Sequence, residues 1–318
     1  MSMPRVSIVI PTRNRIEALK RCLDPLIPYV SRHAECSITV SDDGDAEETR
    51  KALTGELSQV EVVQGPRRGP AANRNNGASR TAGDLIVFLD DDCIPEPELI
   101  ERYQEAAASH PEIAVFEGRI SAQGKARGFT DGAPENETGG YLWSCNFGVR
   151  RALFESMGGF DERFPFAAME DCDFRFRVKR QAEILFVAAA RVWHPVEGRL
   201  GWRIVKHRVL SDLLYLHLHG LEATRKGPSF YARKAARGLV YTGTQRLAEG
   251  AIRHPEQLAR YIWADLEAAV ILYFWKYHAL LARRLFPPCC AGCESIHAVL
   301  SGKAEGGAWP TAKHSPMR

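Results

Sequence analysis

The sequence predicts an α/β fold: a mostly parallel sheet with helices on both faces, followed by a helical C-terminal extension. Three observations carry that expectation. Short apolar runs are rich in β-branched residues, helical patterns alternate with them, and acidic or polar residues gather where the runs stop. Strands buried on both faces read as continuous apolar runs, and their alternation with helices marks a parallel α/β sheet.

In chain order, Val6-Ser7-Ile8-Val9-Ile10 is the first strand and stops at Pro11; a helical pattern follows from Ile16 to Leu26. Ser37 to Ser41 is a second strand running into the turn Asp42-Asp43-Gly44, and Val60 to Val63 a weaker third. Gly69-Pro70 opens a helix through Ser79, since proline suits the first helical turn. Leu85 to Leu89 is another buried strand, ending in Asp90-Asp91-Asp92. From Gly118 the pattern turns loop-like, and Gly124 to Gly140 reads as a surface or lid loop. Tyr141 to Val149 is expected as a strand, Arg151 to Met157 as a short helix closed by Gly158-Gly159, and Ile184 to Val187 as a strand. Between them Asp171 starts a helix to about Arg180, and from Trp202 long helical patterns dominate.

In such sheets ligands bind beyond the carboxyl ends of the strands. Asp90 and Asp92 stand two apart at a strand end, which points both to one face, and hard carboxylates beside substrate phosphates are the usual seat of Mg²⁺ or Mn²⁺. The competing reading is a turn that caps the helix after Pro95. Asp43 is placed to accept from a base N–H, and Arg74 to meet a phosphate or base carbonyls. His194, expected just after the last core strand, offers a neutral imidazole to the same cation. Trp143, Asn146 and Arg150 are candidates for acceptor contacts, with strand packing as the alternative.

The order of motifs adds a family reading. Val6 to Asn14, Ser41-Asp42-Asp43-Gly44, Ala72-Asn73-Arg74-Asn75-Asn76-Gly77 and Gly83 to Asp92, followed by Gly158-Gly159-Phe160-Asp161-Glu162 and Glu170-Asp171, resemble the family 2 glycosyltransferases over about residues 4–195. The resemblance implies the GT-A fold, inversion at the anomeric carbon, a divalent Mn²⁺ or Mg²⁺ and a nucleotide-sugar donor, a UDP-sugar being favoured. It implies that Pro11, Thr12 and Arg13 line the nucleotide, that Asp43 serves the base and Arg74 the base or phosphate, and that Asp90 and Asp91 fall near ribose and metal. Asp92 becomes the main metal ligand and Asp171 the catalytic base, with Glu170 beside it. The acceptor expected is a saccharide or a lipid-linked hydroxyl. A catalytically silent GT-A-like binding protein is the alternative, and it should have lost the acidic metal site or Asp171.

Composition bounds the rest. The 318 residues carry 45% apolar and 25% charged side chains, enough for a full core plus an appendage. Three regions are expected: a catalytic domain over 1–198, a helical region over 199–286 contacting acceptor, membrane surface or another subunit, and a Cys/Gly/Pro-containing, partly disordered tail over 287–318. Residues 1–198 hold 24 Lys+Arg against 31 Asp+Glu, whereas residues 199–318 hold 18 against 8. The second region therefore faces something anionic, and its basic residues Arg203, Lys206, Arg208, Arg225, Lys226, Arg233, Lys234 and Arg237 accompany amphipathic runs at Leu213 to Leu221 and Tyr261 to Phe286. A peripheral contact with the inner face of a membrane is the expectation. The start shows no leader pattern, and the eight cysteines suit reduced thiols, so a cytoplasmic location is expected. Cys290-Ala291-Gly292-Cys293, with Cys289 and His297 nearby, are zinc-type donors without a second CxxC pair; unligated thiols after Pro287-Pro288 are the alternative. A dinucleotide oxidoreductase would need GxGxxG after the first strand, and a nucleotidyltransferase a Gly-rich loop; neither stands there. No nucleic-acid module accompanies the basic charge.

Overall fold

A computed structural model describes residues 3–125, 131–198, 202–220 and 255–303, with a few further positions between 229 and 236. Its central sheet runs in the order β3-β2-β1-β4-β8-β6-β9-β5. Strands β1 (Val6–Thr12), β2 (Cys36–Asp42), β3 (Glu61–Gln64) and β4 (Leu85–Leu89) are parallel, with Val6 opposite both Cys36 and Leu85. Strand β8 (Asn146–Arg150) lies antiparallel to β4 and to β6 (Val115–Gln123), which pairs in parallel with β9 (Ile184–Pro195). The short β5 (Ile94–Pro95) closes that edge against β9, and β7 (Asp131–Gly132) pairs with β10 (Glu197–Gly198) apart from the main sheet.

The unbroken apolar runs follow from burial on both faces. Leu85, Val87 and Leu89 of β4 pack into one core with Ile8 and Ile10, while Ile86 and Phe88 pack into another with Val9. The first core takes Leu19 and Leu23 from helix α1 (Ile16–Leu23), Ile27 from α2 (Ile27–Val30), Ala46 from α3 (Ala46–Ala52) and Tyr103 from α5 (Leu99–Ser109). The second takes Ala71 and Ala78 from α4 (Pro70–Ser79), Phe154 from α6 (Arg151–Ser156) and Phe174 from α7 (Glu170–Val178). Helix α4 lies tight on the sheet: a Cβ at Gly77 would fall 2.6 Å from Val9 Cγ1.

The structure corrects several boundaries. The first helical pattern breaks after Leu23 into two helices. The strand expected from Tyr141 begins only at Asn146, because Leu142 takes a left-handed conformation that no strand accommodates. Strand β6 continues to Gln123 where a loop was expected, and β9 runs to Pro195, so His194 lies inside the strand. The expected lid loop is tied down at Asn136, which bridges Ile120 through both backbone groups; residues 126–130 lie outside the described residues.

The C-terminal helices α8 (Trp202–His219), α9 (Pro255–Tyr273), α10 (His278–Leu285) and α11 (Ala291–Leu300) share a third core with Phe164, Phe166 and Met169 of the preceding domain. Leu213, Leu214 and Leu216 are buried there, so this amphipathic run packs on protein rather than facing a membrane. Lys206, expected as a surface charge, is buried and donates to the Pro287 carbonyl. Arg203, Arg208 and Arg233 are exposed, whereas Arg225, Lys226, Lys234 and Arg237 lie outside the described residues, as do residues 304–318 of the tail. Packing continues past residue 286 through Cys293, Ile296 and Leu300.

Candidate active site at the strand ends

The acidic triplet begins one residue after β4 and its three side chains diverge. Asp91 turns inward and accepts from Thr12 Oγ1 at 2.6 Å and Arg15 Nη1 at 2.9 Å. Burial pushes its pKa up to about 7 against the pull of those donors. Asp90 accepts from Arg74 Nη2 at 2.6 Å, and Asp92 Oδ2 from Arg15 Nη2 at 2.8 Å. Strand alternation does not set these directions, since the strand has ended; a turn closed by the Cys93 N–H on the Asp90 carbonyl does.

The remaining oxygen of Asp92 tests whether a cation fits. Asp92 Oδ1 is buried without a hydrogen bond, and His194 Nε2 stands 3.3 Å away. His194 Nδ1 faces the Pro195 carbonyl at 3.0 Å, which leaves Nε2 as the nitrogen turned toward Asp92. A carboxylate oxygen and an imidazole nitrogen at that separation are a pair that a shared cation would bridge. One carboxylate, one imidazole and the Cys93 thiol have ligand atoms within 4.8 Å of one another. This donor set, with Asp90 close in sequence, fits a divalent cation that takes its remaining ligands from phosphate or water.

Arg74 is where the structure departs most from the sequence reading. Only 3% exposed, it donates to Asp90 and, at 3.1 Å, to Glu170, so the expected phosphate or base contact gives way to a bridge between two carboxylates. The asparagines around it are structural: Asn73 holds Ser41 and the Thr12 carbonyl, Asn76 holds Ser41, and Asn75 pairs with both backbone groups of Phe160. The two motifs Asn73 to Asn76 and Gly158 to Phe160 therefore dock on each other, with Gly159 too close to Asn75 to carry a side chain.

Glu170 is buried, and its Oε2 has no hydrogen bond. Burial, then the charge of Asp171 beside it, raises its pKa. Asp171 is half-buried and accepts from the Cys172 N–H at 2.7 Å; burial raises its pKa while Arg74 opposes the shift. Asp42 and Asp43 divide their work. Asp42 closes the turn on Gly44 N and Thr49 Oγ1, while Asp43 accepts from the N–H groups of Arg67 at 2.7 Å and Gly69 at 3.3 Å. A Cβ at Gly65 would strike Asp43 Oδ1 at 2.4 Å, so that cradle requires glycine. Pro11 and Thr12 end β1 in buried positions and Arg13 is exposed beside them. Among the described residues, the non-glycine residues with positive φ are Asn14, Arg67, Leu142 and Met169, each next to a candidate site residue or in contact with one. Backbone strain of this kind concentrates at functional sites.

Two acceptor candidates are corrected. Asn146 is fully buried, accepting from Tyr103 Oη and donating to the Arg119 and Ala190 carbonyls, where the β6–β9 register slips. Arg150 donates to carbonyls of Ala107, His110 and Ile113 at the end of α5. Trp143 remains: its ring stacks on exposed Tyr141 at 5.5 Å, and its Nε1 is buried without a hydrogen bond. One residue was missed. Glu117, buried in β6, accepts from Asn136 Nδ2 and the backbone N–H groups of Gly140, Tyr141 and Leu142, so it shapes the segment bearing Trp143. A lone glutamate within Val115-Phe116-Glu117 was the available signal. Arg15, which stands with Thr12 and Arg13 among the polar residues at the strand ends, bridges Asp91 and Asp92.

Sheet order and the acidic cluster at the carboxyl ends of the strands define a GT-A type fold. Residues 7–158 match the model of glycosyl transferase family 2. The chain is 27% identical over 105 residues to glycosyltransferase AglE of Haloferax volcanii, covering 32% of this chain and 34% of that protein. It is 30% identical over 95 residues to a GalNAc(5)-diNAcBac-PP-undecaprenol beta-1,3-glucosyltransferase of Campylobacter jejuni, covering 28% and 30%. These matches span about a third of each relative's length. In fold, the chain is similar to a mannosyltransferase from Pyrobaculum calidifontis in complex with GDP-Man and Mn²⁺, with a TM-score of 0.51, 17% identity and coverage of 87% and 88%.

Proposed function

We propose that the protein is an inverting, metal-dependent glycosyltransferase that moves one sugar from a nucleotide-diphosphate sugar, with UDP favoured as the nucleotide, to an acceptor hydroxyl in polysaccharide or glycolipid assembly. The observation that carries this reading is the buried guanidinium of Arg74, which joins Glu170 of the Glu170–Asp171 pair to Asp90, two residues before the Asp92–His194 couple. A bound Mn²⁺ or Mg²⁺ supplies charge neutralisation for the diphosphate leaving group.

The chain's own residues do the rest. Arg74 holds Asp90 and Glu170 in fixed positions, and Arg15 does the same for Asp91 and Asp92. Glu170, buried and tied to Arg74, is poorly placed to accept a proton from an acceptor. Asp171, less buried than Glu170, acts as general base, taking the hydroxyl proton as the oxygen attacks the anomeric carbon. Its N–H donors keep the carboxylate oriented. Trp143, stacked on Tyr141, presents an aromatic face and an unpaired N–H to the acceptor sugar.

The acceptor side also favours a membrane surface. No helix among the described residues is long and apolar enough to cross a membrane. Yet Trp263, Leu266, Val270, Tyr273, Tyr277 and Leu280 recur three and four residues apart along α9 and α10, and all are exposed, Tyr273 by 74%. Lys276, Arg283 and Arg284 accompany them. An apolar, aromatic face flanked by basic residues suits the interface of an anionic bilayer, where each basic side chain contributes about 1 kcal/mol. A lipid-linked acceptor would then lie in reach, as the name of the Campylobacter jejuni relative describes for that protein.

The test is a screen of UDP-, GDP- and dTDP-sugars for Mn²⁺-dependent hydrolysis and thermal shift. The reading expects one nucleotide class to stabilise the protein and its sugar to be released slowly. No shift with any donor, with and without metal, would contradict it.

A further inference from the structure

A second group of ligand-type side chains lies in the C-terminal helical region, away from the strand ends in sequence and fold. His207 projects from α8, and Cys289, Cys290 and Cys293 come from the start of α11 and the turn before it. The sequence reading placed His297 with these thiols. The structure instead binds His297 Nε2 to the Phe286 carbonyl at 2.8 Å and supplies His207 from a helix some eighty residues earlier.

The spacing of the four donors is informative. Cys289 Sγ and Cys290 Sγ each lie 3.6 Å from Cys293 Sγ and 3.9 Å from His207 Nε2, and all four atoms fall within 4.8 Å of one another. A zinc–sulfur bond of about 2.3 Å places tetrahedral ligands about 3.8 Å apart along each edge. Three thiols and one imidazole already sit at that separation, and all three cysteines are free. Packing explains why the donors hold still. The Phe166 ring lies flat on His207 at 3.7 Å, and Lys206 is anchored on the Pro287 carbonyl. A Cβ at Gly292 would strike Phe166 at 2.9 Å and Pro165 at 3.1 Å. The N-terminus of α11 adds partial positive charge that favours thiolates.

We propose that His207, Cys289, Cys290 and Cys293 form a closed, structural zinc site that fastens the C-terminal helices to the segment leading into Glu170 and Asp171. Pro165 and Phe166 sit between the two: Phe166 covers the histidine ligand, and the Pro165 carbonyl lies where a Cβ at Gly69, the residue before α4, would fall. The site needs no open position and no substrate ligand, since the protein supplies all four donors. Filling it requires thiolates, so zinc binding releases protons.

The experiment uses the full chain, purified reduced without chelator. Elemental analysis should find about one zinc per chain, and Co²⁺ added to the apoprotein should give the intense visible bands of tetrahedral thiolate coordination. His207→Ala and Cys290→Ser should lose the bands, whereas His297→Ala and Asp92→Ala should keep them. Maleimide labelling covers variants that fail to fold: in the native chain, zinc should slow labelling of the three thiols at least tenfold. Equal labelling with and without zinc, absence of the Co²⁺ bands, or bands lost in Asp92→Ala but kept in His207→Ala would overturn the proposal.

Discussion

The two candidate cation sites of this molecule are made from contrasting chemistry. At the strand ends, Asp92 and His194 offer one carboxylate and one imidazole, with Asp90 engaged by Arg74 close by. In the helical region, three thiols and an imidazole close on one point. A hard, incomplete donor set suits a cation that arrives with phosphate oxygens and leaves with them, whereas a soft, complete set suits one that stays. The difference teaches how one chain would keep two metals apart: by donor type and by the number of positions left for a ligand.

The largest effect expected is on turnover. Asp171→Asn should keep the fold and donor affinity while slowing transfer by about 100- to 10,000-fold, the range typical of losing a general base. Because a base works ionised and burial raises Asp171, the rate should climb with pH along an acid limb above the ordinary carboxylate range. Steady-state kinetics across pH check both. A variant that retains turnover, while Glu170→Gln abolishes it, would move the base to Glu170.

Arg74→Met comes next. It strands Asp90 and Glu170 without their shared cation, and breaking a buried pair by removing one partner costs about 3–5 kcal/mol. Denaturant unfolding should show that loss, and Glu170→Gln in the same background should recover part of it. An unchanged midpoint would mean the bridge is not part of the solution structure.

A chelator sharpens the contrast between the sites. Brief treatment with EDTA should abolish transfer, restored in full by Mn²⁺, while leaving the melting temperature almost unchanged. Longer exposure under reducing conditions should then lower the melting temperature, restored by zinc alone. Activity and stability lost together at one rate would merge the two sites into one.

The smallest effects belong to the surfaces. Trp143→Phe, which keeps an aromatic face but loses the five-membered ring with its unpaired N–H, should raise the acceptor KM several-fold and leave the donor KM alone. Trp263→Ser with Leu280→Ser should weaken binding to anionic liposomes at low salt. Screening over about 8 Å at physiological ionic strength should weaken the native protein too, without abolishing it. No binding to anionic liposomes in the native protein would leave a soluble acceptor.

Legibility in the sequence followed locality. Strands β1, β2 and β4, helix α4 and the Asp90–Asp92 turn were readable because each is one run with its own stop signal, and their parallel pairing follows from the order of elements. Strands β6 and β9 were misjudged because both continue past Gly118 and Val187 through a register slip that Asn146 satisfies from a third strand. Nothing local to either run reports that. Among site residues, the acidic ones stood out by chemical type in apolar surroundings, whereas Arg74's partner Glu170 lies ninety-six residues away and could be assigned only in space. Asn146 and Arg150 misled for the same reason: polar residues at a strand can serve neighbouring backbone as readily as a ligand.

The central claim is that Asp92 is a cation ligand that couples metal to nucleotide. Calorimetric titration of the nucleoside diphosphate chosen by the donor screen, with and without Mn²⁺, tests it in native protein and in Asp92→Ala. The account predicts tight binding only with Mn²⁺ in the native chain and loss of that metal dependence in a folded Asp92→Ala. Equal, metal-dependent affinity in both proteins would contradict it.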